Sequence, residues 1–520
     1  MGKTMHYSLL DEPVITVRYQ NGETKATNLP SILSSLLDNS IVSFEALQPH
    51  QQQAWYSFLV QLASMAVARE NNGDIPTQPD IWKELLVNLA DGSEAAWHLV
   101  VDDVSLPAFM QPPVPESSLE KAKYSSDIQT PDELDMLVTS KNHDLKGSRI
   151  LRPDPEHWLF ALITLQTMEG FLGRGNYGVV RMNGGFGNRP LVGLSPEKNW
   201  GHRFQRDMNV LLKHRQSLLD MNELNGPALL WIPPWDGEKN SSIPINKCDP
   251  FFIEICRRIR FKRDDNRLLC LRTNTKAGRI SAPDDLNGRT EDPWTPIEKK
   301  GVKALTLGES GFTYELIQQL LLGEEYAKPI ALEFQNDEKD GAFLICQALV
   351  RGQGKTDGLH KRIIPIPPNV TASLFGNTSL KQTLAKRAKN RISLTYDAQR
   401  KILRPALSAL LSSGTDQKVD YSKVAPWINR FDQEIDRQFF DSLWASVDLG
   451  SEEAKQQWEE ILLEEAETIF KEAQRSTPIS QLRRLRALSK ANSMFYGQVN
   501  KIFEYAGKKT TPINQTEEIL

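Results

Sequence analysis

The feature that most constrains this chain is a change of texture near Ser373. Before it, prolines and turn residues cut the sequence into short segments of mixed periodicity. After it, prolines thin out and apolar residues recur at the helical period. In 451–472, Trp458, Ile461, Leu462, Ala466, Ile469 and Phe470 recur at spacings of three and four, which gathers them on one helix face. Glutamates fill the other face, eight against two lysines between Ser451 and Glu472. One such helix cannot bury its own stripe, and about four fit between 375 and 506, which predicts a helical bundle. The expected fold class is α+β. It comprises a large mixed α/β domain with irregular loops over 1–372, a C-terminal four-helix bundle over 373–508 and a flexible tail over 509–520.

Within the mixed part, "PVITVRYQNGET" at 13–24 alternates and then turns at Asn21-Gly22, as a strand and hairpin do. Residues 50–70 and 155–173 read as long buried or amphipathic helices, the second opened by Pro155 and closed near Gly170 and Gly173. Residues 328–335 and 341–352 read as strands, as does "RIIPIPP" after them.

Composition excludes several classes. With 520 residues, 40% hydrophobic and 25% charged, the chain can bury a large core. Its longest apolar runs, such as "FALITLQTM" at 160–168, fall far short of the ~20 residues of a membrane span. The first residues lack a secretion signal, so the expected location is the cytoplasm. The four cysteines, Cys248, Cys256, Cys270 and Cys346, include no C-x-x-C pair, so neither a zinc ribbon nor a disulfide framework is expected. Net charge is −4, but the charges are segregated. Lys381 to Arg404 carries eight basic residues, Lys386, Arg387, Lys389 and Arg391 among them, against the single acid Asp397. Arg483, Arg486 and Lys490 lie at i, i+3 and i+7 and share a second basic face.

Two fragments imitate nucleotide-binding motifs. "VRGQGKTDG" at 350–358 contains Gly354-Lys355-Thr356, but position 349, where a P-loop has its first glycine, is Leu349. Moreover, "DGLHKRIIPIPP" cannot continue as the required helix. What remains is a glycine-rich hairpin tip, Gly352, Gln353, Gly354 and Lys355. "GRGNYG" at 173–178 satisfies G-x-G-x-x-G, yet a helix precedes it, where the dinucleotide fingerprint needs a strand. Six glycines in fifteen residues, interleaved with Arg174, Arg181 and Arg189, instead suit a loop whose backbone approaches an anion closely.

The eight histidines form no H-E-x-x-H or H-x-E pattern with C-x-x-C, and there is no G-x-S-x-G. His157 reads as a structural histidine at a helix start. "KNHD" at 141–144, flanked by Lys146 and Arg149, reads as a recognition loop. Loop tips built from Gly, Lys, Arg, Asn and Gln suit phosphate and base-edge contacts. The chain is therefore expected to be no enzyme and to need no cofactor. A nucleotide- or nucleic-acid-dependent enzyme using the Gly-rich loops is the alternative.

Taken in order, "PAFMQPP" at 107–113, "TSKNHDLKGSR" at 139–149, the Gly-rich 170–190, "DPWTP" at 292–296, the Gly-rich hairpin and a helical bundle resemble the CasA family, the large subunit of the type I-E CRISPR surveillance complex, Cascade. The resemblance implies a non-catalytic subunit that recognises the PAM of double-stranded target DNA from the minor groove, helps open the duplex and recruits the helicase–nuclease. Carried over, the glycine loop is Gly173, Arg174, Gly175 and Asn176, the lysine finger is Lys276 with Arg279 behind it, and the wedge is Gly352–Lys355, with Gln353 or Lys355 at its tip. The loop at Lys141, Asn142, His143 and Lys146 resembles the one that reaches the guide RNA and neighbouring subunits. The bundle's basic residues, Lys386, Arg387, Lys389, Arg391, Arg483, Arg486 and Lys490, would then hold the displaced strand. The partners implied are guide RNA, target DNA, the other Cascade subunits and the helicase–nuclease. Some relatives carry a cysteine cluster able to hold zinc; Cys248, Cys256 and Cys270 lack its spacing, so no metal is expected.

Overall fold

The computed structural model describes residues 6–505 apart from 71–72, 116, 136–149, 151–152, 171–172, 179–187, 219–222, 266, 336–337, 353–354, 377 and 416. The tail expected at 509–520 lies outside the described residues. The chain forms two compact units: 1–312 with 325–365, and 313–324 with 366–520.

The first unit is organised by two helices. Gln52–Glu70 is buried from Gln53 to Val67, and Pro155–Met168 is buried from Trp158 to its end. Both are apolar on nearly every face, which suits a helix only inside a core. Trp55 stacks on Phe58 and meets Phe160 edge-on, while Trp97, Phe109 and Trp231 form a second aromatic group. Pro155 opens its helix as expected, and His157 closes a capping box by accepting from the Asp154 amide.

The sheets are small. The expected hairpin pairs Ile15–Tyr19 with Thr24–Thr27 through a turn in which Gly22 has a φ of +86°, and Ile41–Phe44 adds a third strand. Leu191–Ser195, Ala342–Gly352 and Lys355–Ile366 make a second three-stranded sheet. Ser125–Ile128, Arg267–Thr273 and Arg258–Asp264 make a third.

The strand expected at 328–335 is instead a single 3-10 turn, Ile330–Leu332. Pro329 has no N–H to give a ladder. The carbonyls that a neighbouring strand would take are claimed by the buried Arg206, which donates to Ala331 O at 2.7 Å and to Glu333 O.

Arg189 also departs from the sequence reading. Far from interleaving a phosphate loop, it is fully buried, 2.6 Å from Asp292, with its guanidinium reaching Gln61 and Ser57. Both residues lie in segments that carried the family resemblance, and they join them across the core.

The second unit is helical. Tyr421–Ala445, Ser451–Ser476 and Gln481–Ile502 are long helices. A fourth rod runs from Thr378–Asp397 through a π-helical stretch, Ala398–Leu403, into Arg404–Leu411. Pro405 accounts for the π stretch: its ring clashes with the carbonyl four residues back, and a widened turn relieves this. Trp458, Leu462, Ala466, Ile469 and Phe470 are buried as their spacing predicts, with Phe470 stacked on Phe495 at 4.6 Å. Glu459 departs from its acidic face: it is buried and accepts from the Tyr505 amide. Tyr314–Leu322 belongs to this unit although it interrupts the other in sequence. The Tyr314 amide and hydroxyl bond Asp436 and Asp432, and its ring lies on Phe439.

Truncating Asp292 would leave the Arg189 cation buried without its counter-charge. Asp292→Ala should cost the first unit about 3–5 kcal/mol, read as a lower urea midpoint for its unfolding.

Candidate nucleic-acid interface

The glycine loop emerges just after the buried helix Pro155–Met168, and two residues at that helix's end hold it. Gln166 spends its whole side-chain amide on the main chain. Its Nε2 donates to Met110 O and Arg257 O, and its Oε1 accepts from the Cys256 and Arg257 amides, all at 2.8–3.0 Å. Arg257, so fixed, donates to Gly170 O at 2.8 Å and Tyr177 O at 3.1 Å, gripping the loop on both sides. Glu169 sits between Arg257 at 3.7 Å and Arg351 at 3.2 Å.

Gly173 and Gly175 both have positive φ, +94° and +88°. Space is open at Gly173, so φ alone demands glycine there, whereas a Cβ at Gly175 would lie 3.0 Å from Asn274. The Asn176 amide returns to Gly173 O and closes a tight turn. Arg174 is exposed at its apex.

The segment around Lys276, which the resemblance takes as a lysine finger, packs directly on this loop. The Thr275 amide donates to Gly175 O at 2.9 Å, and the Tyr177 amide reaches Thr275 Oγ1. Gly278 approaches Gly178 so closely that a Cβ would sit 2.7 Å from its carbonyl oxygen. On the other flank, the Lys276 and Ala277 amides donate to Gly237 O. The Lys276 side chain is exposed and 2.7 Å from Glu238. Arg279, placed behind the finger by the resemblance, is a structural clamp: buried, it donates to four carbonyls, those of Leu230, Pro233, Pro234 and Ser241. Burial lowers its pKa to about 10, leaving it cationic at neutral pH.

Asn176, Lys276 and Arg351 all line one open cavity of 660 Å³. Its wall carries seven cations, Lys121, Lys123, Arg258 and Arg272 among them, and five carboxylates. Asp236 belongs to this wall. Burial alone would raise its pKa, but hydrogen bonds from Ser241 and the Glu238 amide, with Arg258 nearby, hold it below the usual carboxylate range. Glu238, Asn274, Arg258 and Arg272 were not singled out from sequence. The signal for Glu238 was legible in "WDGEKN", an Asp-Gly turn in which Gly237 has a φ of +81°.

Gly352 ends one strand of the hairpin that the resemblance takes as a wedge and Lys355 begins the next; Gln353 and Gly354 lie outside the described residues. Lys355 thus opens a strand where a P-loop lysine opens a helix, and a helix precedes "GRGNYG". Neither fragment has a nucleotide-binding context. Lys141, Asn142, His143, Lys146 and Arg181 also lie outside the described residues.

In the helical unit, Lys386, Lys389, Arg483 and Arg486 are exposed, while Lys490 is half-buried and reaches Thr415 O. Arg387 donates to the carbonyls of Ser446 and Leu449. Arg391 does not belong to an exposed face at all. It is 2% exposed, laid over Trp458 because its position on the helix turns inward.

The four cysteines are buried free thiols, and among the described residues no His, Cys, Asp and Glu cluster could hold a metal. Burial pushes the Cys256 and Cys346 thiols up to about 12, which removes them as nucleophiles. No described helix is long and apolar enough to cross a membrane.

A family model described as CRISPR-associated protein Cse1 matches residues 8–469. The chain belongs to the Cse1 family. The resemblance to CasA, the large subunit of the type I-E surveillance complex, therefore holds, since one similar solved structure is that of Thermus thermophilus CasA (Cse1). It is 14% identical, with a TM-score of 0.60 over 95% of this chain and 99% of that one. Cse1 from Thermobifida fusca matches with a TM-score of 0.64 at 14% identity, over 96% and 98% of the two chains. A chain of a CRISPR RNA-guided surveillance complex matches at 0.57 and 12% identity, over 95% of this chain and 100% of that one. Among curated proteins no relative matches. At these identities the Cse1 fold is shared while most side chains are not.

Glu169→Ala should cost about 3–5 kcal/mol, because it leaves two buried arginines without their carboxylate. The loss should be local. Amide exchange should quicken at 173–178 and along the 342–352 strand before the helical unit is affected.

Proposed function

We propose that this Cse1-family chain is the PAM-reading subunit of a type I-E RNA-guided complex. It contacts the short flank of double-stranded target DNA, helps part the first base pairs and recruits the helicase–nuclease, without catalysing a reaction itself. The observation that carries this reading is convergence: glycine loop, lysine finger and the base of the Gly352–Lys355 hairpin border one cation-rich cavity although they are far apart in sequence.

The chemistry is consistent with reading a minor groove. That groove offers a degenerate pattern, mainly A·T against G·C. A backbone loop with positive-φ glycines comes close to a groove floor without side-chain bulk, and a single ammonium adds a donor. Gln353 or Lys355 at the hairpin tip would enter the base stack. The few kcal/mol of unstacking would be offset by contacts to the strand backbones, and guide pairing would read the sequence beyond. The loop at Lys141, Asn142, His143 and Lys146 is assigned to guide RNA and neighbouring subunits. The exposed Lys386, Lys389, Arg483 and Arg486, with Lys490, are assigned to the displaced strand.

Glu238 gives this reading a sharp test. In the free protein its carboxylate occupies the Lys276 ammonium, so DNA must compete for that contact. The reconstituted guide complex, with and without this subunit, is presented with duplexes carrying a randomised flank in a gel shift. A short flanking motif should be enriched only when the subunit is present. Lys276→Ala should weaken binding to the enriched duplex about tenfold, and Glu238→Gln should strengthen it. No enrichment would overturn the reading, and a weaker Glu238→Gln complex would remove Lys276 from the interface.

A further inference from the structure

Arg391 is a buried cation whose hydrogen bonds are incomplete. Its Nη1 donates to Ser442 Oγ at 3.1 Å and its guanidinium lies 4.8 Å from the Trp458 ring centre, but Nε and Nη2 have no protein acceptor. Four other buried arginines are each held by a carboxylate or by several carbonyls. Arg189 has Asp292, Arg206 has Glu338, Arg215 has Asp249, and Arg279 has four carbonyls. A buried guanidinium with donors to spare is poised to take an anion.

Arg391 also lines an open cleft of 570 Å³ between the Thr378–Asp397 and Ser451–Ser476 helices. The second helix begins there. Gly450, its N-cap, provides no side-chain acceptor, and Ser451, Glu452 and Ala454 of the first turn face the cleft. First-turn N–H groups and the positive end of a 26-residue helix add to the attraction for an anion. Lys386 is exposed on the opposite wall, and Lys455 is held by Glu504. Glu452 is the lone carboxylate on the lining, against Lys386, Arg387, Arg391 and Lys455. The cleft falls within the ~300–1,000 Å³ of small-molecule sites, which leaves room for a phosphate together with what it is attached to.

We propose that this cleft is a discrete phosphoryl-binding site, with Arg391 as its buried receptor, Lys386 at its rim and the amino end of the Ser451–Ser476 helix as its third wall. The source argued for is a phosphodiester of the displaced single strand, and this rests on the functional reading above. Arg391 then serves the strand from a pocket between two helices, while Lys389, outside the lining, serves it only as general surface charge.

The test uses the full chain and two probes at fixed ionic strength: a labelled ten-nucleotide oligothymidylate by anisotropy, and inorganic phosphate as its competitor and as a titrant by calorimetry. The oligothymidylate carries no flank or duplex, so the outcome is independent of PAM reading. Wild type should bind the strand, and phosphate should displace it. Arg391→Met should weaken strand binding at least about tenfold, and Lys386→Ala should weaken it less. Phosphate binding that depends on Arg391, with no strand binding, would support the site and assign it to a free phosphate. Equal binding of both probes by wild type and Arg391→Met would overturn the proposal and leave Arg391 a hydrated core residue. Should Arg391→Met fail to fold, Lys386→Ala decides, since unchanged affinity for both probes at that exposed position would equally overturn it.

Discussion

Gln166 and Glu169, three residues apart at the end of a buried helix, are the pins on which the interface hangs. An amide has two donors and two acceptor positions, and Gln166 uses all four on the main chain. That fixes Arg257, and Arg257 fixes the glycine loop. Glu169 then ties Arg257 to Arg351, at the base of the hairpin. Each link is buried, so each is strong in the low-dielectric interior and costly to leave half-made. The exposed tips are thereby carried on a lattice of buried, mutually bonded polar groups.

This arrangement divides labour among the cations. Arg189, Arg206, Arg215, Arg257 and Arg279 are consumed inside the first unit, on carboxylates and carbonyls that shape loops. Arg174 and Lys276 remain at the surface, where charge can meet a ligand. Lys276 is only lightly restrained, because an exposed ion pair such as its contact with Glu238 contributes little to stability and exchanges readily for a better acceptor.

Periodicity made most of the scaffold legible. The two core helices, the first hairpin, the strand at 342–352 and the buried stripe of 451–472 follow from patterns that are local in the sequence. The 328–335 turn did not, because its apolar alternation is overridden by Arg206, more than a hundred residues away. The site was legible by kind more than by residue. Positive-φ glycines and Lys276 stand out locally, and the structure brings them together. Whether a given arginine faces water or a partner depends on contacts across 34 to 182 residues, as for Arg215 and Arg351. Composition therefore marked Arg189 and Arg391 as surface charge when both are interior. The quoted segments "DPWTP" and "PAFMQPP" are conspicuous for a structural reason: Asp292 neutralises Arg189, and Gln111 bonds the main chain at Leu99, Phe109 and Phe261.

The helix Tyr314–Leu322 has a consequence for how the chain is made. It leaves the ribosome in the middle of the first unit, yet its hydrogen-bond partner Asp432 follows 118 residues later. At synthesis rates of ~5–20 residues per second, it waits roughly 6–24 s for that partner. During that interval Leu320, Leu321 and Tyr314, all buried in the finished protein, are apolar surface on a nascent chain. The first unit meanwhile closes around the gap with 325–365. The order of synthesis thus leaves this short helix without its partners until the second unit is made, and the helical unit cannot be completed by any fragment that begins after it.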